Sequence, residues 1–454
     1  MNNILTSYDP SNGEIVGTVK ITQKELIPQI VETAKLSQLS WGKLSVDERI
    51  RYIDRAAKIL SEESHELGVL LCREMGKGLN QGVGEVEGCA YDAIYRAKLV
   101  KESIKTQVFK GGGLETQMEY NPLGVCAVIT PWNFPISMAH WLIIPALTAG
   151  NTVVLKPSEE TPLIAQAYVD VFNKVLPEGV LQIIHGGDEQ GKALVEADVS
   201  LIAFTGSQNA GKDIMKNAAG ALKRLVMELG GKDPLIVMKD ADIDQAVRFA
   251  VANSFDNAGQ VCISTERIFV DEGIADEFEQ KATHYAQYYK VGPWNDQEAN
   301  IGPIINDKQR NNIIRQIEDA IDKGAKVLWG GYNHPERYVV PTVLTNVTDD
   351  MLIAKEETIG PVVCISRYTD IDEAIKASNN TNFGLGAVVF GKKDAEIVAK
   401  QLQAGMVGIN QGVGGIGDTP WVGAKHSGYG YHGSPDGHRQ FTQVRVISKR
   451  STDR

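Results

Sequence analysis

Short apolar runs that alternate with helix-length segments are the feature of this chain that most limits how it can fold. From about residue 122 onward, such runs occupy residues 125–129, 152–155, 181–184 and 201–204. They are rich in valine and isoleucine and lack alternating polar residues, which is typical of parallel strands buried on both faces. The pattern predicts an α/β fold, in which ligands bind beyond the carboxyl ends of the strands.

A second series of the same kind begins near Lys232. Residues 234–237 and 265–270 are predicted strands, and residues 241–255 are a predicted helix between them. Further strand-like runs follow at residues 362–365, 386–390 and 406–410. Two such series predict two α/β lobes with a cleft between them, and a length of 454 residues also exceeds what one core accommodates.

The first hundred residues have a different character. After a turn-rich lead at residues 9–13, apolar residues recur at helical spacing. Ser45, with Glu48 three positions later, has the pattern of a capping box at the start of a helix. This part of the chain is therefore predicted to be helical.

Charge and cysteine content exclude several classes of function. Lysine and arginine number 46 and aspartate and glutamate 57, so the net charge is −11 and nucleic acid or an anionic membrane is not an expected partner. The N-terminus lacks a secretory pattern, and prolines interrupt the most apolar stretch, residues 125–155. Five widely spaced cysteines predict free thiols, no metal site and a cytoplasmic protein that acts on a small molecule.

Three residues are candidates for catalysis. Cys262 follows a glycine-containing loop, where its backbone N–H can approach an oxyanion. Glu228 lies between apolar residues and a glycine pair, and lost hydration there would raise its pKa toward that of a useful base. Asn133 lies between two prolines after a predicted strand, where its amide can donate to an oxyanion. Taken singly, they also fit plain structural roles as a buried cysteine, a surface glutamate and a turn asparagine.

A second group of residues fits a nucleotide. Lys156 and Glu159 follow a predicted strand, and an acidic side chain there can accept hydrogen bonds from ribose hydroxyls and repel a 2′-phosphate. Gly206 and Ser207 end another strand and open a helix, which creates a phosphate site at the helix N-terminus. The full G-x-G-x-x-G fingerprint is absent, so an ordinary capped helix is the alternative for this turn.

Eight segments form one ordered set of motifs along nearly the whole chain. They are residues 131–135 (Pro-Trp-Asn-Phe-Pro), 156–159 (Lys-Pro-Ser-Glu), 204–207 (Phe-Thr-Gly-Ser), 227–232 (Met-Glu-Leu-Gly-Gly-Lys), 259–262 (Gly-Gln-Val-Cys), 356–361 (Glu-Glu-Thr-Ile-Gly-Pro), 382–385 (Asn-Phe-Gly-Leu) and 405–410 (Gly-Met-Val-Gly-Ile-Asn). Together they resemble the NAD(P)-dependent aldehyde dehydrogenase superfamily. The separation of Glu228 and Cys262 by 34 positions is also similar to that family.

The resemblance implies three structural parts and an oligomer. A Rossmann-type cofactor-binding domain would comprise residues 1–104 and 126–230, and an α/β catalytic domain would comprise residues 231–428. A small β element formed by residues 105–125 and 429–454 would serve oligomerisation, giving a homodimer or homotetramer.

The resemblance also implies catalytic roles. Cys262 would attack the aldehyde and form a thiohemiacetal, while the Asn133 side chain and the Cys262 N–H would hold the oxyanion. Loss of hydride would leave a thioester, and Glu228 would activate the water that releases the carboxylic acid.

For the cofactor, Lys156 and Glu159 would contact the adenosine ribose, Ser207 the pyrophosphate, and Glu357 the nicotinamide ribose. The other members of the predicted cofactor set are Trp132, Gly206 and Leu229. The charge of Glu159 favours NAD, and NADP stays possible because Lys156 can assist a phosphate.

Departures from the family concern cofactor packing and the substrate. Ile359 stands where many relatives have Phe, and Leu142 where many have Lys. Succinate-semialdehyde enzymes often place an Arg within the segment that corresponds to residues 133–145, but this chain has none there and carries His140 and Trp141. A buried carboxylate needs a paired cation, so a neutral or aromatic aldehyde is predicted.

Alternatives remain at the level of substrate and chemistry. A semialdehyde such as succinate semialdehyde would be possible if Arg439 or another distant cation faced the site. A CoA-acylating enzyme would not need Glu228, and a non-catalytic scaffold would not need to keep Cys262 and Asn133. Residues 432–435 depart from the family pattern and are a candidate for shaping the substrate mouth.

Overall fold

The predicted apolar runs form the centres of two large sheets. The structure is a computed structural model that describes residues 3–451; residues 1–2 and 452–454, which the predicted domains include, lie outside the described residues. The strands are β1 (Ile4–Tyr8), β2 (Ile15–Lys20), β3 (Gln107–Gly111), β4 (Leu114–Pro122), β5 (Val125–Ile129), β6 (Thr152–Lys156), β7 (Leu181–Ile183), β8 (Leu201–Gly206), β9 (Arg224–Leu229), β10 (Asp233–Val237), β11 (Thr265–Asp271), β12 (Lys326–Trp329), β13 (Thr342–Thr345), β14 (Val362–Tyr368), β15 (Gly386–Phe390), β16 (Met406–Ile409), β17 (Gly428–Tyr429) and β18 (Thr442–Arg450). The α-helices are α1 (Ile27–Trp41), α2 (Val46–Glu62), α3 (Ser64–Met75), α4 (Leu79–Ser103), α5 (Ser137–Thr148), α6 (Pro162–Asn173), α7 (Asp188–Glu196), α8 (Gln208–Ala218), α9 (Ile243–Phe255), α10 (Glu272–Ala286), α11 (Asp307–Asp322), α12 (Leu352–Lys355), α13 (Ile371–Asn379), α14 (Ala395–Ala399) and α15 (Ser434–Arg439).

The first large sheet has the strand order β17-β9-β8-β5-β6-β7, and its strands are parallel except for β17. Both of its faces are buried. In β5, Val125, Ala127 and Ile129 contribute to one core, whereas Cys126 and Val128 contribute to another. The first of these cores is packed by helices α1, α7 and α8. The second is packed by helices α2, α4, α5 and α6. Alternate side chains of one strand thus meet helices on opposite sides.

The second large sheet has the order β12-β13-β14-β11-β10-β15-β16, with β12 alone antiparallel to its neighbour. All five strands predicted after Lys232 lie in it. Leu235 and Val237 of β10 face one core, and Ile236 faces another. Two parallel sheets covered on both faces confirm the predicted α/β class.

A third sheet lies apart from both. Strands β3, β4 and β18 are antiparallel, and β18 pairs with β4 along its whole length. Phe109 and Val446 are among its exposed apolar side chains. The sheet falls within the predicted segments 105–125 and 429–454. The second segment contributes to the sheet only from Thr442 onward, because the residues before it pack elsewhere: β17 pairs with β9, and α15 packs against α4.

The prediction of helices for the first hundred residues is correct from α1 onward but misses a hairpin. Strands β1 and β2 pair on either side of the turn-rich lead, in which the Asp9 carbonyl accepts a hydrogen bond from the Gly13 N–H at 2.7 Å. These strands are half-exposed and lack a long apolar run, so the sequence pattern did not reveal them. The capping box at the start of α2 is present, since Ser45 accepts from the Glu48 N–H and Glu48 accepts from the Ser45 N–H.

Candidate active site

A short chain crossing joins the two large sheets. Gly230, Gly231 and Lys232 are the only residues between β9 of the first sheet and β10 of the second. A Cβ on Gly230 would lie 2.1 Å from Oε1 of Glu357, so a side chain there would displace the Glu357 carboxylate. Glu228, one residue before the end of β9, is buried. It therefore lies where the chain leaves the first sheet for the second.

Cys262 lies on a loop with three consecutive residues in the left-handed conformation. Asn257, Ala258 and Gly259 have φ values of 49°, 59° and 71°. This conformation is uncommon for residues other than glycine, and such strain persists only where the surroundings impose it. A Cβ on Gly259 would lie 2.1 Å from the carbonyl oxygen of Gly360. Close backbone contact with the segment before β14 thus fixes the loop that carries the thiol.

Gln260 anchors the same loop, although sequence analysis did not single it out. Its buried side chain donates to the Asn257 carbonyl at 3.1 Å and accepts from the Ile305 N–H at 3.0 Å. Its own carbonyl accepts a hydrogen bond from Nδ2 of Asn133 at 3.0 Å. This bond holds the Asn133 amide beside the loop of Cys262, and the amide nitrogen carries a second hydrogen that can point at a ligand.

A buried ion pair positions the loop of Asn133. Nζ of Lys77 lies 2.8 Å from Oε2 of Glu85 and donates to the Asn133 carbonyl at 2.9 Å. The other oxygen of Glu85 accepts from the N–H groups of Ile136 and Ser137. Both charged side chains are almost fully buried, so losing one would leave an uncompensated charge. The contact from Lys77 to Asn133 spans 56 positions, so no local sequence pattern predicts that Lys77 supports the loop of Asn133.

The thiol of Cys262 donates a hydrogen bond to Oε1 of Glu228, with 3.0 Å between sulfur and oxygen. Burial raises the pKa of Cys262 well above its ordinary value, and the Glu228 carboxylate raises it further, followed by Asp233 and Glu357. The resting group is therefore a protonated thiol. Since the thiolate is the stronger nucleophile, an adjacent base must take the proton, and Glu228 is in place to do so.

The predicted cofactor residues lie along one edge of the first sheet. Lys156, Gly206 and Leu229 are the last residues of β6, β8 and β9, and Trp132 follows β5 closely. Because these four strands are parallel neighbours, their carboxyl ends share one edge. This is the edge at which α/β sheets bind nucleotides.

Helix α8 starts at this edge. Oγ of Ser207 caps it by accepting from the Ala210 N–H at 3.3 Å, and the N-terminus of this 11-residue helix favours an anion such as a pyrophosphate. Gly206 brings bare backbone to the same place. Nζ of Lys156 lies 3.4 Å from Oε2 of Glu159. Together the two side chains offer a donor and an acceptor to sugar hydroxyls. These groups fit a nicotinamide dinucleotide.

Glu357 lies on the other side of the chain crossing. Its Oε1 accepts from the Gly231 N–H at 2.9 Å, and burial, with a contribution from the nearby Glu266 carboxylate, raises its pKa to about 8. Glu266 in turn accepts from the Ile359 N–H at 2.9 Å and lies 2.7 Å from Nζ of Lys232. Ile359 has a φ of 51°, which is rare for a β-branched residue. The buried Lys232–Glu266 pair thus fixes the segment that carries Glu357.

An aromatic cluster lies beside Glu228. The ring of Trp141 is 5.9 Å from that of Trp421 and 5.8 Å from that of His432 between centroids. Nε2 of His432 lies 3.9 Å from Oε2 of Glu228. Trp141 belongs to the predicted substrate segment and His432 to the stretch predicted to shape the mouth, whereas the proximity of His432 to Glu228 has no signal in the sequence.

The cations near this cluster are already paired. The guanidinium of Arg96 lies 5.9 Å from the Trp141 ring centroid and bonds Asp92 at 2.6 and 3.1 Å. Arg439 bonds Asp436 at 2.9 Å. His140, expected in the substrate segment, is fully buried behind the site.

Comparisons with known proteins identify the family. A model described as the aldehyde dehydrogenase family matches residues 2–447. A probable succinate-semialdehyde dehydrogenase (NADP(+)) of Sinorhizobium fredii is 36% identical over 450 residues, which cover 97% of this chain and 91% of that protein. The crystal structure of succinate-semialdehyde dehydrogenase from Burkholderia pseudomallei is 34% identical, with a TM-score of 0.95 over 99% of this chain and 95% of that chain. An NAD-dependent aldehyde dehydrogenase from Sinorhizobium meliloti is 31% identical, with a TM-score of 0.94 over 98% of this chain and 91% of that chain.

The chain belongs to the aldehyde dehydrogenase family. It is an oxidoreductase that acts on an aldehyde, which confirms the activity predicted from the eight motifs, and its relatives include an enzyme named for NADP and one named for NAD. In the part of the chain that the structure describes, every helix lacks the length or the apolar character needed to cross a bilayer.

The contact between Glu228 and Cys262 predicts how the thiol titrates. Replacing Glu228→Gln removes a negative charge beside Cys262, so the pKa of the thiol should fall and alkylation by iodoacetamide should rise at lower pH than in the native protein. The other four cysteines are buried, so the alkylation rate reports mainly on Cys262. Glu62→Gln, an exposed change at the end of α2, serves as the control and should leave the profile in place. An unchanged or upward-shifted profile in Glu228→Gln would contradict the assigned contact.

Proposed function

We propose that this enzyme oxidises a neutral aldehyde, preferably an aromatic one, to the free carboxylic acid through a thioester on Cys262. The observation that carries the proposal is the 3.0 Å contact between the Cys262 sulfur and Oε1 of Glu228. It pairs a nucleophile with a base, and the Asn133 amide lies beside the same loop as an oxyanion donor.

In the first half-reaction the Cys262 sulfur attacks the aldehyde carbon, and the thiol proton passes to Glu228. The Asn133 side chain and the Cys262 N–H donate to the oxyanion that forms. The bound nicotinamide supplies the acceptor for the hydride that leaves this carbon. The carbon is then a thioester of Cys262.

In the second half-reaction Glu228 takes a proton from the water that attacks the thioester. The carbon–sulfur bond breaks, the acid leaves, and the sulfur regains its proton. The position of Glu228 supports this role, because its buried carboxylate lies 3.0 Å from the sulfur that carries the acyl group. Transfer to CoA would not need such a base, so water is the proposed acceptor.

The preferred cofactor is proposed to be NAD. Glu159 follows β6, where its charge would oppose the 2′-phosphate of NADP. Its neighbour Lys156, 3.4 Å away, reduces that penalty without removing it. Ser207 would hold the pyrophosphate and Glu357 the nicotinamide ribose, with Trp132, Gly206 and Leu229 completing the site.

A neutral, aromatic substrate is supported by the cluster of Trp141, Trp421 and His432. These rings offer apolar faces next to Glu228, which contacts the nucleophile. Arg96, the nearby cation, is held by both oxygens of Asp92. A distal carboxylate would therefore lose water next to an arginine whose charge is already paired.

Succinate semialdehyde is the second candidate substrate. It is favoured by the names of the relatives from Sinorhizobium fredii and Burkholderia pseudomallei. It would require Arg96 or Arg439 to turn an N–H group that its present carboxylate partner does not use toward the substrate.

The proposed assembly is a cytoplasmic homodimer or homotetramer. The six-stranded sheet would form the cofactor-binding domain and the seven-stranded sheet the catalytic domain. The sheet of β3, β4 and β18 would provide the interface, and its exposed side chains, among them Phe109 and Val446, support this.

The mechanism predicts the effect of replacing the nucleophile. Cys262→Ser should lower the rate of aldehyde oxidation by at least about 10³-fold, because a hydroxyl is a far weaker nucleophile than a thiol near neutral pH. Cys72→Ser is the matched control, since Cys72 is a buried thiol outside the proposed site, where it bonds the Gly78 carbonyl. The native enzyme should form free acid without CoA. Product that appears only as a CoA thioester would contradict hydrolysis.

The aromatic cluster predicts the order of substrates. With NAD, benzaldehyde should have a higher kcat/KM than acetaldehyde, betaine aldehyde or succinate semialdehyde, and each should be slower with NADP. Trp141→Ala should lower kcat/KM for benzaldehyde about tenfold, equivalent to ~1.4 kcal/mol, and change that for acetaldehyde less. Trp329→Ala, at a partly exposed position in β12, is the control. If succinate semialdehyde has the highest kcat/KM instead, the aromatic assignment is wrong and the second candidate substrate is the correct one.

A further inference from the structure

The proposed mechanism requires Glu228 to take two protons in one turnover. One comes from the Cys262 thiol when the sulfur attacks, and the other comes from the hydrolytic water. Glu228 must therefore lose the first proton before it can accept the second. Its side chain is only 5% exposed, so bulk water has little access to it.

His432 is the titratable group that faces the free side of Glu228. Oε1 of Glu228 is occupied by the thiol of Cys262, and Oε2 is buried without a hydrogen-bond partner among residues 3–451. Nε2 of His432 lies 3.9 Å from that oxygen, a gap that a small ring rotation or one bridging water closes. Nδ1 of His432 is also buried without a partner in the described chain.

The fold holds the His432 ring in this place. Its carbonyl accepts from the Trp421 N–H at 2.9 Å, and its ring packs on that of Trp141. Gly433 follows with a φ of 72°, and a Cβ there would lie 2.7 Å from the Thr419 carbonyl oxygen. The tight turn that only glycine allows thus fixes the ring beside Glu228.

The other charged groups around His432 are already committed. His438 lies on α15 and bonds Asp418 at 3.0 Å. Arg96 of α4 bonds Asp92. His432 is therefore the imidazole near the site that is left to serve Glu228.

We propose that His432 is a positioning residue that accepts the first proton from Glu228 and so restores the base for hydrolysis, an inference that rests on the proposed function. The thiol proton moves to Oε1 of Glu228, rotation of the carboxyl group then turns the protonated oxygen toward His432, and Nε2 of His432 takes the proton. Glu228 then takes a proton from the attacking water and returns it to the Cys262 sulfur as the carbon–sulfur bond breaks. The acid and His432 each release one proton to solvent when the product leaves, which accounts for the two protons formed with carboxylate and reduced cofactor.

The test separates acylation from deacylation without any cofactor. 4-Nitrophenyl acetate acylates the thiol and releases nitrophenolate, so a burst of one nitrophenolate per site measures acylation and the following steady rate measures hydrolysis. In His432→Gln the burst should remain, and the steady rate should fall about 10²-fold. In His432→Ala, added imidazole should restore the steady rate. His438→Gln, in the same tail segment but paired with Asp418, is the matched control and should keep the native ratio of the two rates.

Three results would overturn the inference. A steady rate in His432→Gln within twofold of the native rate would remove His432 from the proton path. An equal slowing of both steps, without rescue of His432→Ala by imidazole, would assign it a purely structural role. A burst that persists in Cys262→Ser would refute the proposed function itself and the inference with it.

Discussion

The crossing of Gly230, Gly231 and Lys232 between the two large sheets is the constraint on which the rest of the site depends. It lets Glu228 of the first sheet meet Cys262, on the loop that precedes β11 of the second sheet, at 3.0 Å. A side chain on Gly230 would enter the space of the Glu357 carboxylate. The proposed base and the proposed nicotinamide contact therefore share one narrow junction, and moving either sheet would separate the base from the thiol.

Two buried ion pairs hold the loops that surround this junction. Lys77 and Glu85 fix the segment of Asn133, and Lys232 and Glu266 fix the segment of Glu357. Buried pairs of this kind are weak contributors to net stability, because desolvation offsets much of their attraction. Their value here is geometric, because each fixes a loop that carries a candidate site residue, Asn133 or Glu357, before any ligand arrives.

Much of this arrangement could be predicted from the sequence, because it rests on local signals. Buried strands appear in the sequence as apolar runs, and the glycine pair after Glu228 indicates the chain crossing. The motifs also led to the family, which the comparisons confirm. The catalytic and cofactor roles assigned to individual residues stay predictions.

What the sequence did not reveal depends on contacts between distant segments. Lys77 reaches Asn133 across 56 positions, and His432 meets Glu228 only because β17 pairs with β9 and turns the tail back toward the site. The left-handed Asn257 and Ala258 have no residue-type signal comparable to glycine. The hairpin of β1 and β2 was missed since its strands are half-exposed and carry little apolar pattern.

The central claim is that Cys262 carries the acyl group and that Glu228 delivers water to it. Trapping the intermediate tests both parts at once: Glu228→Gln is mixed with NAD and benzaldehyde, quenched with acid, digested and mapped by mass spectrometry. Because Glu228→Gln lacks the base for both half-reactions, we expect the benzoyl thioester on the Cys262 peptide to form slowly, but to accumulate to close to one per site with one equivalent of NADH, since its hydrolysis is blocked as well. Free acid formed at the native rate, or a benzoyl group on any other residue, would contradict it.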